Sequence, residues 1–368
     1  MVEMSALLDK ANSLQAGGKE IIDCVLGEVS HGLDKKVVKL GKKLLETEYS
    51  YIKPIRGYTP LRDNIARLVN RECGVDFTPD NVIVTPGAGL AIDMFYRTFL
   101  NPGDEVVIFD PFYIPFVVYA RIYQANPVLV DTYDTKFQPC VEILRKKITR
   151  RTKVIVINSP NNPTGRIIPK EIINEIASEA RNRGLIILSD ETYSFLDYEG
   201  NFVSPLFFYP EGTVVVRSFS KEFSMMGYKV GYIAADSKII CFLRRLQFPC
   251  WGAPRLSSIM ANAALEFTSK NRKKMRVYRK MRDVLYRRLT ELDIIEYMPE
   301  GAIYFYVKSP YSTALDYARR LAHEGLLVSP GFSKRNTHIR LAYGNLMKAD
   351  IPKVMLAFER SMNDGKKV

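Results

Sequence analysis

The chain has 368 residues, 47% of them hydrophobic and 25% charged, and carries a net charge of +13. That length supports a large core and more than one domain, and the balance is ordinary for a globular protein. No apolar run reaches the roughly 18 residues a membrane helix needs, so a helical membrane protein is excluded. The opening MVEMSALLDKANS lacks the basic start and apolar stretch of a secretory signal, so a cytoplasmic location is expected. Five cysteines are scattered and odd in number, and they read as free thiols in a reducing compartment. With three histidines and no CxxC, no metal site is expected.

Short apolar runs rich in β-branched residues recur along the chain. The first, Val82 to Thr85, leads into Pro-Gly-Ala-Gly and then the helical stretch LAIDMFYRTFL. Glycines opening a helix let backbone N–H groups point at an anion, and the helix dipole adds to the attraction. Gly87, Ala88 and Gly89 are therefore either a phosphate cradle or a tight strand-to-helix turn. After Glu105 to Phe109 comes DPFYIPF, where Tyr113 is either a flat lid for a ring or an aromatic core contact. Val128 to Val130 and Lys153 to Ile157 follow. The latter leads into Asn-Ser-Pro-Asn-Asn-Pro-Thr-Gly, a rigid loop of turn formers that presents Asn162 as a fixed donor.

Pro169 to Arg183 reads as a helix, with proline at its start, Ile172, Ile173, Ile176, Ala177 and Ala180 on one face, and Gly184 at its end. Leu185 to Ser189 then ends at Asp190, with Tyr193 just beyond. A carboxylate at a buried strand end calls for a cationic partner, unless it caps the next segment. Thr213 to Val216 leads into SFSKEFSMMGYKVGY, and Val230 to Ala234 follows. Within that run, Lys221 sits past a buried strand between small polar residues, Ser218 and Ser220 among them. It is either a solvated loop lysine or an amine held neutral for reaction with a carbonyl. Strand and helix in alternation imply right-handed crossovers and a mostly parallel sheet.

After about residue 250 the pattern changes. Lys270 to Arg288 is strongly basic, with apolar residues at helical spacing, and reads as an amphipathic helix with a solvated outer face. No nucleic-acid-binding motif accompanies the charge, so no nucleic-acid partner is expected. Ile303 to Val307 and His338 to Tyr343 are short strands among further helices, the pattern of a smaller α+β domain joined by the N-terminal segment. Together, the positions after the strands supply an amine, a carboxylate, a phenol, an amide, a phosphate cradle and a stacking ring. That set meets the needs of pyridoxal 5′-phosphate.

The motifs NNPTG, SDETY, SFSK and GYKVGY, in this order and spacing, resemble those of the class I/II, fold-type I aminotransferases, and the likeness runs from LGE at Leu26 to HIRLAY ending at Tyr343. The resemblance implies an α/β fold with a mainly parallel seven-stranded sheet in a large domain and a small domain built from both termini. The expected division is 1–44 and 256–368 for the small domain and 45–255 for the large one. It implies a homodimer with shared sites, acting on an L-amino acid and a 2-oxo acid. Lys221 resembles the Schiff-base lysine, and Asp190 the partner of the pyridine nitrogen. Tyr193 and Asn162 match the donors to the ring's phenolic oxygen, and Tyr113 matches the stacking aromatic. Gly87, Ala88, Gly89, Ser218 and Lys229 match the phosphate-binding region. Arg340 matches the arginine for the substrate α-carboxylate, where a bidentate fork suits the task, and Gly27 and Asn162 lie beside it.

Three departures stand out. Lys229, eight residues after Lys221, replaces the arginine usual in the family. Ile52 occupies the slot of the tyrosine that reaches the neighbouring subunit's phosphate, and Tyr51 is one residue off. Val-Ser-His-Gly-Leu replaces the usual loop after Glu28. His31, Lys35, Arg56, Ile52, Phe332 and Trp251 are candidates for the donor side chain, and none is placed by sequence. Fold and cofactor do not choose the reaction, so elimination, decarboxylation and synthase chemistry stand as alternatives. About 25 residues precede LGE, too few for the helix-turn-helix domain of the family's regulators.

Overall fold

Branched side chains stiffen the backbone toward extended conformations, and the valine- and isoleucine-rich runs of this chain form its strands. The computed structural model describes residues 13, 15–29, 31–46, 56–250, 252–266, 268–331 and 333–363, with backbone alone at 247–250, 268–273 and 363. Eleven strands are described: β1 (Ile22–Cys24), β2 (Val82–Thr85), β3 (Glu105–Asp110), β4 (Asn126–Asp131), β5 (Thr152–Asn158), β6 (Ile186–Asp190), β7 (Thr213–Ser218), β8 (Gly231–Ala235), β9 (Tyr304–Lys308), β10 (Leu326–Pro330) and β11 (His338–Ala342).

Seven of them form one sheet in the order β2-β8-β7-β6-β5-β3-β4. Neighbours are parallel except at β8, which is antiparallel to both β2 and β7. The carboxyl ends of β2, β3, β5, β6 and β7 therefore share one edge. β8 begins at that edge, where Gly231 pairs with both Thr85 and Ser218.

Both faces are covered. Val106, Ile108, Val154 and Val156 pack toward helices Gly87–Phe99 and Pro115–Ile122. Val107, Ile155, Ile157 and Ile187 pack toward Lys170–Arg183. That alternation is the two-residue period of a strand buried on both sides. Helix Lys170–Arg183 follows the sequence pattern, with Ile173, Ile176, Ala177 and Ala180 buried and Gly184 left-handed (φ 65°) at its C-cap.

The second sheet has the order β1-β10-β11-β9, with β1 parallel to β10 and the other pairs antiparallel. It packs on helices Ala314–His323 and Ile351–Asn363 and on the long helix Thr268–Glu291 through Leu285, Leu289, Leu321, Val354 and Phe358. The sequence pattern gives β9 and β11 but not β1 or β10. β1 has only three residues, and LLVSP of β10 has just three apolar residues in a row before a serine and a proline, with no alternation to mark it. Among the described residues, no helix is long and apolar enough to cross a membrane.

Candidate active site

Groups singled out by sequence meet where the turns after β5 and β6 contact β11 and β9 of the second sheet, through Asn162–Arg340 and Tyr193–Tyr304. Lys221 lies in the one-turn helix Phe219–Glu222 directly after β7. Its Nζ donates to the Gly27 carbonyl and lies 3.1 Å from Met226 Sδ. Burial lowers its pKa from the usual lysine range to about 8; Glu28 opposes the shift, and Arg340 and Lys229 add to it. Roughly a tenth of this amine is therefore neutral at pH 7, far more than of an ordinary lysine. The solvated-loop reading of Lys221 does not hold.

Asp190 closes β6 and is only 5% exposed. Its carboxylate accepts from the Thr192 N–H (3.1 Å) and hydroxyl (2.6 Å), closing a local turn. Neither the cation nor the helix cap expected from sequence is present: among the described residues it forms no ion pair. Burial raises its pKa to about 6, against the Thr192 donors. Tyr193 is also buried, and its hydroxyl bonds that of Tyr304. Burial holds its phenol well above the usual range.

Asn162 is buried in the loop after β5, where Ser159–Pro160 and Asn162–Pro163 are cis. Its N–H donates to Asn158 Oδ1 (2.8 Å), and its own Oδ1 accepts from Arg340 Nη1 (2.8 Å). The carbonyl end of the amide is thus committed to arginine, which leaves the NH2 end as a donor. Arg340, in β11, also donates from Nη2 to the Val25 carbonyl (2.6 Å). Its buried Nε has no hydrogen-bond partner among the described residues. The segment after β1 therefore touches both cations, Arg340 through Val25 and Lys221 through Gly27.

Tyr113 is half-buried past the end of β3, edge-on to Phe116 at 5.5 Å between ring centroids. Burial, with Asp190 nearby, pushes its phenol up to about 12. Gly87 (φ 86°) opens helix Gly87–Phe99, followed by Ala88 and Gly89. Gly231 presses on this turn: a Cβ there would lie 2.7 Å from Gly87 C and 2.8 Å from Ala88 N. Ser218 caps the Lys221 turn by accepting from the Ser220 N–H (3.1 Å). Lys229 is exposed, in a left-handed conformation (φ 51°) at the rim. Tyr51, Ile52, Trp251 and Phe332 lie outside the described residues. Arg56 pairs with Asp80. His31 sits 2.5 Å from the Tyr278 hydroxyl and 3.3 Å from the Glu222 carbonyl, and burial lowers its pKa to about 4. It is neutral at physiological pH.

Three site residues escape the sequence reading: Tyr304, Gly231 and Met226. Tyr304 and Arg340 are diagonal neighbours on one face of the small sheet, since Arg340 pairs with Tyr306 and Ala342 with Tyr304. The alternation of Ile303 to Val307 puts Tyr304 and Tyr306 on one face, and that was the available signal.

The donor set fits pyridoxal phosphate. A buried carboxylate without a cation complements a protonated ring nitrogen. A lysine with a lowered pKa complements an aldehyde, and a glycine-rich helix start complements a phosphate. Such a site on a seven-stranded, mainly parallel sheet defines a fold-type I pyridoxal-phosphate enzyme. The family model described as aminotransferase class I and II matches residues 20–358. A probable aspartate/prephenate aminotransferase of Thermus aquaticus is 32% identical over 355 residues, covering 92% of each chain. A mutant aspartate aminotransferase structure from Thermus thermophilus superposes with a TM-score of 0.92 at 30% identity, over 98% of this chain and 96% of that one. An alanine aminotransferase structure from Pyrococcus furiosus gives 0.91 at 26%, over 98% and 97%. The chain belongs to the class I and II aminotransferases, pyridoxal-phosphate-dependent enzymes that work between an amino acid and a 2-oxo acid.

Proposed function

We propose that this aminotransferase takes a small L-amino acid as donor, L-aspartate first, and passes its amino group to a 2-oxo acid at a site centred on Lys221 and Arg340. The observation that carries the reading is the shared anchoring of those two cations by the Val25 and Gly27 carbonyls. The aspartate named in the relatives and the tyrosine hydroxyl crowding Gly27 support a small donor.

Bound pyridoxal phosphate supplies an aldehyde that condenses with amines and a ring that accepts electrons. Asp190 would hold the ring nitrogen, and Tyr193 and the Asn162 amide the phenolic oxygen. Tyr113 would cover the ring. Gly87, Ala88, Gly89, Ser218 and Lys229 would hold the phosphate, with Tyr51 a further candidate. Arg340 binds the α-carboxylate of the substrate as a planar fork, and Asn162 keeps that fork in plane. The neutral Lys221 amine would take the proton from the substrate Cα and deliver it two bonds away, on the far side of the substrate nitrogen. The Gly27 carbonyl aims the amine, and the Val25 carbonyl aims the guanidinium.

The same reading makes the protein a cytoplasmic homodimer, with 45–255 as the cofactor-binding domain and 1–44 with 256–368 as a smaller domain closing on it. The four described cysteines are unpaired, which suits a reducing compartment. Light scattering that gives twice the chain mass supports the dimer; a monomer mass contradicts it.

The test is a panel of single donors added to the cofactor-loaded enzyme. L-aspartate or L-alanine should discharge the visible absorption band, and a 2-oxo acid should restore it. Discharge by large aromatic donors alone overturns the small-donor reading. Steady 2-oxo acid release without an acceptor points instead to elimination.

A further inference from the structure

Tyr304 was not among the residues drawn from sequence, yet it touches three that were. Its hydroxyl bonds the Tyr193 hydroxyl, its ring lies 4.8 Å from the Arg340 guanidinium, and a Cβ on Gly27 would lie 1.9 Å from its oxygen. It is 1% exposed, and among the described residues Tyr193 is the one hydrogen-bond partner of its hydroxyl.

We propose that Tyr304 is a positioning residue of this aminotransferase, orienting the Tyr193 proton toward the bound ligand and holding the Arg340 guanidinium for the substrate carboxylate. The inference rests on the roles read above for Tyr193 and Arg340.

Two facing hydroxyls share one hydrogen bond, and only one of them donates it. If Tyr193 donates to Tyr304, the ligand loses its phenol donor. If Tyr304 donates, the Tyr193 proton is free to turn to a ligand oxyanion, and the two hydroxyls polarise each other along the chain. Tyr304 is buried, so water offers its proton no alternative, and donation to Tyr193 satisfies it. The ring does separate work. A guanidinium facing an aromatic ring is attracted by its quadrupole, and here the ring stands on the same sheet face as the arginine. Gly27 belongs to the device, because any side chain there would displace the hydroxyl. The phenol and the ring thus serve different partners, and variants can separate them.

The experiment uses the cofactor-loaded enzyme and its Tyr193→Phe, Tyr304→Phe, Tyr304→Leu and Gly27→Ala variants. The readouts are the pH titration of the visible absorption, kcat and KM for L-aspartate, and competitive inhibition by acetate. Tyr193→Phe should raise the titration midpoint. Tyr304→Phe should raise it in the same direction by about 0.4–1 pH unit, the loss of one modest hydrogen bond. Its kcat should fall about five- to tenfold, with KM and acetate inhibition within about twofold of wild type. Tyr304→Leu should in addition weaken acetate inhibition by about threefold or more, through loss of the ring. Gly27→Ala should lower kcat in the wild-type background and cost less when combined with Tyr304→Phe. If Tyr304→Leu does not fold, Tyr304→Phe and Gly27→Ala carry the test. A Tyr304→Phe midpoint equal to wild type, with Tyr193→Phe shifted, overturns the proposal for Tyr304 alone. No shift in Tyr193→Phe overturns the role of Tyr193 and the proposal with it.

Discussion

In the seven-stranded sheet the candidate groups stand at or just past strand ends: Asp190 at the end of β6, Asn162 after β5, Lys221 after β7 and Tyr113 after β3. In the four-stranded sheet Arg340 and Tyr304 stand inside strands β11 and β9. The first arrangement depends on topology: parallel strands deliver their carboxyl ends to one edge, and each loop is shaped separately. The second depends on register. A slip of one residue between β9 and β11 would turn Arg340 and Tyr304 to opposite faces. Loop positions should therefore fail one group at a time, and in-strand positions should fail together.

The largest expected effect is at Lys221. Lys221→Ala should slow the half-reaction by about 10²–10⁴-fold or more while leaving Arg340 able to bind acetate. Lys221→Arg should not rescue it, because a guanidinium does not give up its proton. A rate near wild type in Lys221→Ala would remove the amine from the mechanism. Arg340→Gln comes next. Losing charge-assisted hydrogen bonds should cut kcat/KM by about 10–100-fold, with the loss in KM. An unchanged KM would mean that the carboxylate binds elsewhere.

Asp190 sharpens the contrast through pH. Its native pKa, raised to about 6, lies above the unfolded carboxylate range. The native state therefore binds more protons between about pH 4 and 6, and stability is lost as pH rises through 6. In the protein stripped of cofactor, Asp190→Asn should raise Tm at pH 8, and the gain should shrink toward pH 4. With cofactor bound, the same change should weaken binding at pH 8. A Tm gain independent of pH would detach Asp190 from this account.

The smallest effect is structural. Gly231→Ala would drive a Cβ into Gly87 and Ala88, and overpacking of this kind costs about 1–3 kcal/mol. Urea unfolding should register that cost, and cofactor affinity should fall with it. Unchanged affinity would show that the turn moves without consequence for the phosphate.

The same contrast explains what was legible in the sequence. All seven strands of the large sheet are marked by apolar runs, and their following turns carry Asp190, Asn162 and Lys221 within a few residues. Local pattern suffices there. Tyr304 meets Tyr193 across 111 residues of sequence, and Arg340 meets Val25 across 315, contacts that no local pattern encodes. β8 reverses direction without any change in its composition, which hid the role of Gly231 at the functional edge. The carboxylate expected to need a cation instead found two donors on Thr192, two residues away. His31 is built into a neutral contact with Tyr278, not left as a cation for a substrate.

The most direct measurement is the visible spectrum of the cofactor-loaded enzyme during a single addition of L-aspartate without any acceptor. Amino transfer at Lys221 requires one discharge of the band per active site, one equivalent of 2-oxo acid released, and recovery of the band on adding a 2-oxo acid. Continuous 2-oxo acid release without an acceptor, or a band that no amino acid discharges, would contradict it.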